Sequence, residues 1–322
     1  MSWLPHTIRE HSVVSMFVAL QLVLVIWALV APDSFRYLSA SNINVALRAI
    51  PPLAIMAMGV GVLMLAGEFD LSVGSNYTFS AVVMASAFNS GLDPFLSVAL
   101  AILAGTAIGL LNGVVALTFD IPSFIVTLGA MLVWRGGVLY YNGPSSEPFR
   151  PEGPFNAVFS DGILLGDIQI SAGVFWLLII GVVLGTLVHL HRYGNHLLAV
   201  GGNRNAAVAI GVQPTRTKLI AFAIAGGCAA FAGVLATARI HQAQPGQGGG
   251  LELQAIAACV IGGVALTGGR GSVLGMIVGT WLVFTIQDVL LLLRAPGFYL
   301  DVFIGAVLVA AVIGNRAVRG RT

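Results

Sequence analysis

Stretches of about twenty apolar residues follow one another along almost the whole chain, and few charges interrupt them. Of the 322 residues only 9% are charged and 57% are apolar, whereas a soluble domain carries about 25% charged residues. So few charges cannot cover a water-facing surface, so most of the exterior must face lipid. A helix needs about 20 apolar residues to cross the hydrocarbon core. The fold class expected is therefore all-α: a polytopic transmembrane helical bundle, one integral membrane domain over residues 1–322 with no soluble module.

Apolar runs bounded by polar residues or Gly/Pro breaks predict about ten spans: 12–31, 50–67, 71–89, 95–118, 123–141, 171–190, 218–240, 254–268, 272–293 and 298–315. The first run is too long for the apolar part of a signal peptide and lacks a small-x-small cleavage site before Pro32, so it reads as a retained helix. Ser41 to Ala49 is too short and too polar to span, and is expected as a short amphipathic piece ahead of the second helix.

Orientation follows from lysine and arginine placement. With ten spans and a cytoplasmic N-terminus, the inside holds Arg9, Arg192, Arg204, Arg216, Lys218, Arg270, Arg316, Arg319 and Arg321. The outside holds Arg36, Arg48, Arg150, Arg239 and Arg294, and Arg135 falls within a span. Nine against five places both termini in the cytoplasm. The longest outer loop, Asn142 to Ile170, is rich in Gly, Pro and acids and suits a solvated external cap. Gly105/Gly109, Gly181/Gly185 and Gly275/Gly279 are G-x-x-x-G pairs, which let helix backbones approach closely where lipid gives no drive for association.

Three segments stand out. In Leu65-Ala-Gly-Glu-Phe-Asp-Leu-Ser-Val-Gly74 only a tight turn fits between spans, and Asp70 is placed to cap the next helix, with Ser72 beside it. Glu68 and Asp70 are costly at hydrocarbon depth, so they are expected at the cytoplasmic end or in a water-filled cavity. Leu266-Thr-Gly268-Gly269-Arg270-Gly-Ser-Val-Leu-Gly275 is a similar turn with a basic centre. In Gly201-Gly202-Asn203-Arg-Asn205-Ala206-Ala207-Val-Ala-Ile-Gly211, Asn203 caps a short helix over 205–210, Gly211 ends it, and Pro214 prevents its return. Its small side chains suit close approach by another protein.

Other chemistry is missing. There is no phosphate-binding G-x-x-x-x-G-K-[ST], no His-Glu-x-x-His, no Cys-x-x-Cys and no G-x-S-x-G. Cys228 and Cys259 lie in apolar runs and read as small buried hydrophobes, so no metal site is expected. The net charge of +2 implies no nucleic-acid partner. Asp288 is the clearest acid inside a span, and the scarcity of such acids argues against a self-powered secondary transporter. An embedded enzyme has no polar constellation to support it.

Taken in order, these segments resemble the permease subunits of bacterial ABC importers for sugars of the ribose, xylose, arabinose and galactose type. The matching stretches are Gly67-Glu-Phe-Asp70-Leu-Ser72-Val-Gly-Ser75, Ile121 to Gly129, Gly201 to Gly211, and Gly262 to Ser272. Glu68 stands where that family usually has a second Gly, and Ile286 to Val289 replaces its usual Asn-Gly-Leu. The resemblance implies two permease copies, identical or related, embedded in lipid in the bacterial inner membrane. It implies a cytoplasmic ABC ATPase docked on Gly202, Asn203, Asn205, Ala206, Ala207 and Gly211, and a periplasmic sugar-binding protein outside. ATP would be bound and hydrolysed by the partner subunit, and this chain would bind no cofactor. Asp70, Ser72, Gly268, Gly269 and Arg270 would lie in cytoplasmic turns near the pathway or the coupling surface. An ABC permease for branched-chain amino acids or another small polar solute is the alternative.

Overall fold

A computed structural model describes residues 6–319 of the chain. The expectations for Arg321 and for the chain ends fall outside that range. The elements run α1 (His6–Val30), α2 (Ala40–Leu65), α3 (Val73–Asn89), α4 (Pro94–Thr118) and α5 (Ser123–Asn142). A mixed segment follows, with β1 (Glu147–Pro148), α6 (Pro154–Phe159), β2 (Gly162–Leu165) and β3 (Ile168–Ser171). Then come α7 (Ala172–His189), α8 (Arg192–Gly202), α9 (Arg204–Ala209), α10 (Pro214–Ile240), β4 (Gln242–Ala243), α11 (Leu251–Ile261), α12 (Val273–Leu292) and α13 (Phe298–Arg319). Among the described residues six helices, α2, α4, α5, α7, α10 and α12, are long and apolar enough to cross a membrane. The chain is thus a polytopic helical membrane protein.

The core is built where α2, α3, α4 and α10 pack together, and every residue of α2 from Ile50 to Leu65 is buried. Small residues set the spacing. A Cβ on Gly226 of α10 would overlap the carbonyl of Gly105 and sit 3.0 Å from Cα of Gly109 on α4. Asn76 of α3, fully buried, donates through Nδ2 to the carbonyls of Gly105 (3.0 Å) and Gly226 (3.3 Å). One G-x-x-x-G pair thus meets a third glycine, and an amide takes up the carbonyls exposed there. Gly275 and Gly279 pack on the carbonyls of Gly262 and Ala258. Gly181 meets only Ile277 and Met58 at ordinary distance and Gly185 meets nothing, so that pair does not set a close contact.

Two expectations need correction. Ser41 to Ala49 is no separate piece but the first turns of α2. Its polar residues are satisfied by neighbours: Asn42 donates to Asp288 (2.8 Å), and Asn44 bonds Asp167 and Gln169. Asp288 therefore lies one turn from the end of α12, clasped to the start of α2. The predicted span 254–268 is not a span-length helix. After α10 the chain runs extended and turn-rich through Gln242 to Gly250, and α11 is only 11 residues. That is about 16 Å of helix, half the hydrocarbon thickness. Gly248 lies against α3, where a Cβ would overlap the carbonyl of Gly74, and its N–H donates to Thr78 Oγ1 (3.0 Å). The run of glycines allows this close passage, and protein contacts satisfy the backbone that a helix would have satisfied.

The segment between α5 and α7 forms an ordered cap at one end of the bundle. Its β2–β3 hairpin and the β1–β4 pairing are antiparallel. Phe149 and Phe155 are fully buried among Phe88, Phe95 and Phe159, and Phe159 stacks on Trp176.

The cap and the end of α10 also repair α2. Pro51 and Pro52 lie inside that helix and have no N–H to give to the carbonyls of Leu47 and Arg48. Ser171 Oγ donates to the Leu47 carbonyl (2.6 Å), and Arg239 donates to the Arg48 carbonyl (2.8 Å). Each orphan acceptor has been given a donor from another element. Arg239→Met, which keeps much of the stem, is expected to cost about 0.5–1.5 kcal/mol, the usual net loss for one hydrogen bond, because this one lies at an exposed position. In a Pro52→Ala background that cost shrinks, because the new N–H reclaims the Arg48 carbonyl. A double-mutant cycle of thermal unfolding in detergent reads the difference.

Candidate functional site: a backbone junction and its foot

The three segments singled out in the sequence meet at one end of the bundle, opposite the cap. The turn after α2, the end of α8 and the turn before α12 touch backbone to backbone. The N–H of Gly269 donates to the carbonyl of Leu65 (2.9 Å). A Cβ on Gly201 would overlap that same carbonyl and stand 2.6 Å from the nitrogen of Gly269. A Cβ on Gly268 would lie 2.7 Å from the nitrogen of Gly67, and one on Gly269 would lie 2.6 Å from Gly202. Gly67, Gly268 and Gly269 also have φ of +79°, +80° and +75°, which disfavours any other residue. The glycines are needed for contact as well as for turning.

Asp70 lies beside this junction at zero exposure, so neither solvent nor a water-filled cavity receives it. Its Oδ1 accepts from the N–H (2.7 Å) and hydroxyl (2.6 Å) of Ser72, and Oδ2 accepts from Asn112 Nδ2 (3.4 Å). Burial pushes its carboxyl up from the usual range, and the bonds from Ser72 and Asn112 oppose the shift. Asp70 does not cap α3 in the ordinary way: the cap position is Ser72, and Asp70 holds that residue's N–H. The neighbouring donors go to α5, Phe69 N–H to Ser123 Oγ and Leu71 N–H to Thr127 Oγ1 (3.1 Å each). Sequence reasoning marked the stretch around Ser123 and Thr127 but not this task, and it missed Asn112, a lone amide in an apolar run. Glu68 pairs with Lys218 at the start of α10, both side chains about 15% exposed or less. The extra charge in this turn thus has a partner 150 residues away.

The foot is α8 and α9. His191 Nδ1 accepts from the N–H of Tyr193 to start α8, and Tyr193 donates its hydroxyl to the Thr217 carbonyl (3.0 Å). Asn203 Oδ1 accepts from the Ala206 N–H (3.0 Å), capping α9 as expected. Gly211, at φ +84°, ends it, and Pro214 opens α10. The N–H of Val212 returns to the carbonyl of Ala207.

One candidate faces the other way: Ala207 is buried with Val200 and Val212, because α9 needs an inner face to pack on. Gly202, Asn203, Asn205, Ala206 and Gly211 are exposed, as are Val208 (54%) and Ile210 (75%), two apolar side chains the sequence reading passed over. Beside them an open groove of about 540 Å³ is lined by Val208, Val212, Pro214, Arg216 and Leu219, among others. Ser72, Gly268 and Gly269 belong to the junction. Arg270 is exposed, and only its carbonyl holds the turn, accepting from Ala265. Among the described residues no group of three His, Cys, Asp or Glu could hold a metal.

Asp70→Asn turns Oδ2 into an NH2 facing the NH2 of Asn112. The clash of two buried donors is expected to cost about 1–3 kcal/mol. Adding Asn112→Asp restores a donor–acceptor pair and recovers part of the loss, read as the melting temperature in detergent.

The sequence model of a family described as "Branched-chain amino acid transport system / permease component" matches residues 42–312. The chain is 34% identical to the ribose import permease protein RbsC of Bacillus subtilis, over 93% of this chain and 91% of that protein. It is 35% identical to the L-arabinose ABC transporter permease protein AraH of Azospirillum brasilense, over 95% and 87%. It is 32% identical to the autoinducer 2 import system permease protein LsrC of Salmonella choleraesuis, over 88% and 80%. No solved structure matches. With a bundle built for lipid and a family match across most of its length, the chain belongs to the branched-chain amino acid transport system permease-component family.

Proposed function

We propose that this chain is the membrane-spanning permease of an ABC importer that moves a monosaccharide across the bacterial inner membrane. The observation that carries the sugar reading is the similarity, over more than nine tenths of this chain, to permeases named for ribose and L-arabinose. In this reading two copies of the chain, or this chain and a related one, enclose the route, and a periplasmic binding protein delivers the sugar at the cap. The chain passes the membrane ten times, counting the return through 241–261 as one pass, with both ends in the cytoplasm. It has no catalytic step of its own and binds no cofactor. A cytoplasmic ATPase binds and hydrolyses ATP and works on the foot.

Geometry supports the foot as the docking point. Arg192, Arg204, Arg216, Lys218 and Arg270 gather at that end, the cytoplasmic end by the distribution of basic residues. Val208 and Ile210 protrude into what is then water, where exposed apolar side chains beside a groove mark an interface. The junction fixes the foot to the end of α2 with no flexible side chain between them, so displacement of one moves the other.

The family description names branched-chain amino acids, which makes leucine the competing cargo. Proteoliposomes holding the permease, its ATPase and its binding protein are expected to take up labelled ribose or arabinose with ATP and not leucine. Uptake of leucine alone would overturn the sugar reading. Accumulation without an ATPase would overturn the importer reading.

Val208→Arg and Ile210→Arg are expected to cut the ATPase that co-purifies at least tenfold, with yield and melting temperature little changed, because both side chains are mostly exposed in this chain. Ala207→Arg instead lowers stability first, since a long cation cannot enter a buried methyl's place.

A further inference from the structure

One charge pair lies where neither lipid nor the foot accounts for it. Arg135 sits on α5 seven residues before its end at Asn142, about 10 Å along the helix axis. An arginine at that depth is costly against hydrocarbon. Its side chain is nonetheless 41% exposed, on a helix with only three buried residues. This side of α5 therefore faces water or a second protein surface.

Arg135 points at Glu252, in the first turn of α11, at 3.7 Å. That is longer than a charge-assisted hydrogen bond, about 2.7–2.9 Å. Glu252 itself is 6% exposed, and its Oε2 is buried with no hydrogen-bond partner. A buried carboxylate oxygen left without a donor calls for an explanation. Room has been kept for it: a Cβ on Gly74 would overlap Oε2 and lie 2.5 Å from the carbonyl of Gly248. Next to the pair is a cavity of about 230 Å³, lined among others by Gly74, Ser75, Thr78, Arg135, Gly246 and Gly249. It lies where the chain runs unwound between α10 and α11, the kind of interrupted backbone that is tolerated at membrane depth only when it is buried in protein or lines a cavity.

We propose that Arg135 and Glu252 form a solute-contacting site on the transport route, built for the adjacent hydroxyls of a neutral polyol. One hydroxyl donates to Glu252 Oε1, the carboxylate oxygen that faces Arg135, and its neighbour accepts from the Arg135 guanidinium. The gap of 3.7 Å admits this without separating the charges. The site contacts the sugar in passing, so it governs how much solute moves per ATP rather than how tightly the binding protein holds it. This inference rests on the sugar importer reading above.

The test uses the whole complex in proteoliposomes with saturating ribose-loaded or arabinose-loaded binding protein. Glu252→Gln and Arg135→Gln are expected to lower sugar moved per ATP about tenfold. The ATPase rate stimulated by the loaded binding protein stays within twofold, and the melting temperature is unchanged. A sugar-to-ATP ratio equal to wild type in both variants overturns the site. So does a parallel fall in transport, ATPase rate and melting temperature, which would make the pair a structural brace. A second readout avoids these substitutions. Nothing lies within 4 Å of a Cβ at Gly246, so Gly246→Cys fits there. Ribose at high concentration should slow labelling at position 246 by a small neutral thiol reagent, with leucine without effect. Protection by leucine and not by ribose, or by neither, sinks the proposal. Wild-type complex that moves no sugar at all counts against the importer reading itself.

Discussion

Backbone touching backbone is the contact on which the end of this bundle opposite the cap depends. Three turns from residues near 67, 201 and 268 close on one another with no side chain between them, and one hydrogen bond, Gly269 N–H to the Leu65 carbonyl, ties the set. Side chains bend through rotamers, whereas a peptide plane in van der Waals contact with another does not. The foot, the end of α2 and the start of α12 are therefore packed directly on one another. Asp70 adds to this packing from the flank, holding Ser72 and Asn112 while α5 takes the remaining N–H groups.

Burial is uneven around this unit. α2 and α10 are enclosed by protein along most of their length, while α5 and α7 are mostly bare. A bundle whose central helices are locked and whose flanking helix α5 carries a half-exposed arginine is asymmetric by construction. The enclosed part holds the helices together, and the bare part has surface left for lipid, water or another protein.

Much of this could be read from the residues. Helix extents followed from apolar runs because lipid leaves the backbone few other options. The short helix α9 was legible almost residue by residue, since an Asn cap, an Ala-rich body, a Gly stop and a following Pro each act locally. What escaped depends on distant partners. Ser41 to Ala49 looked too polar for a helix entering the bilayer, because Asp288 and the cap that satisfy Asn42 and Asn44 lie more than 120 residues away. The run 254–268 has the composition of a helix, and only the contact of Gly248 with Gly74 and Thr78 shows why the chain is extended before it. Ala207 looked like contact surface because small residues suit both an interface and a buried inner face. Glu68 looked like an unexplained charge until Lys218 appeared beside it.

The two prolines of α2 have a mechanical consequence. A helix normally owns its bending stiffness, stored in its own ladder of bonds. Here two rungs have been handed over, one to a hydroxyl at the root of the cap and one to a guanidinium at the far end of α10. The shape of the central rod is thus set by parts outside it. A load applied at the cap reaches the rod through these two latches, where its own ladder is interrupted.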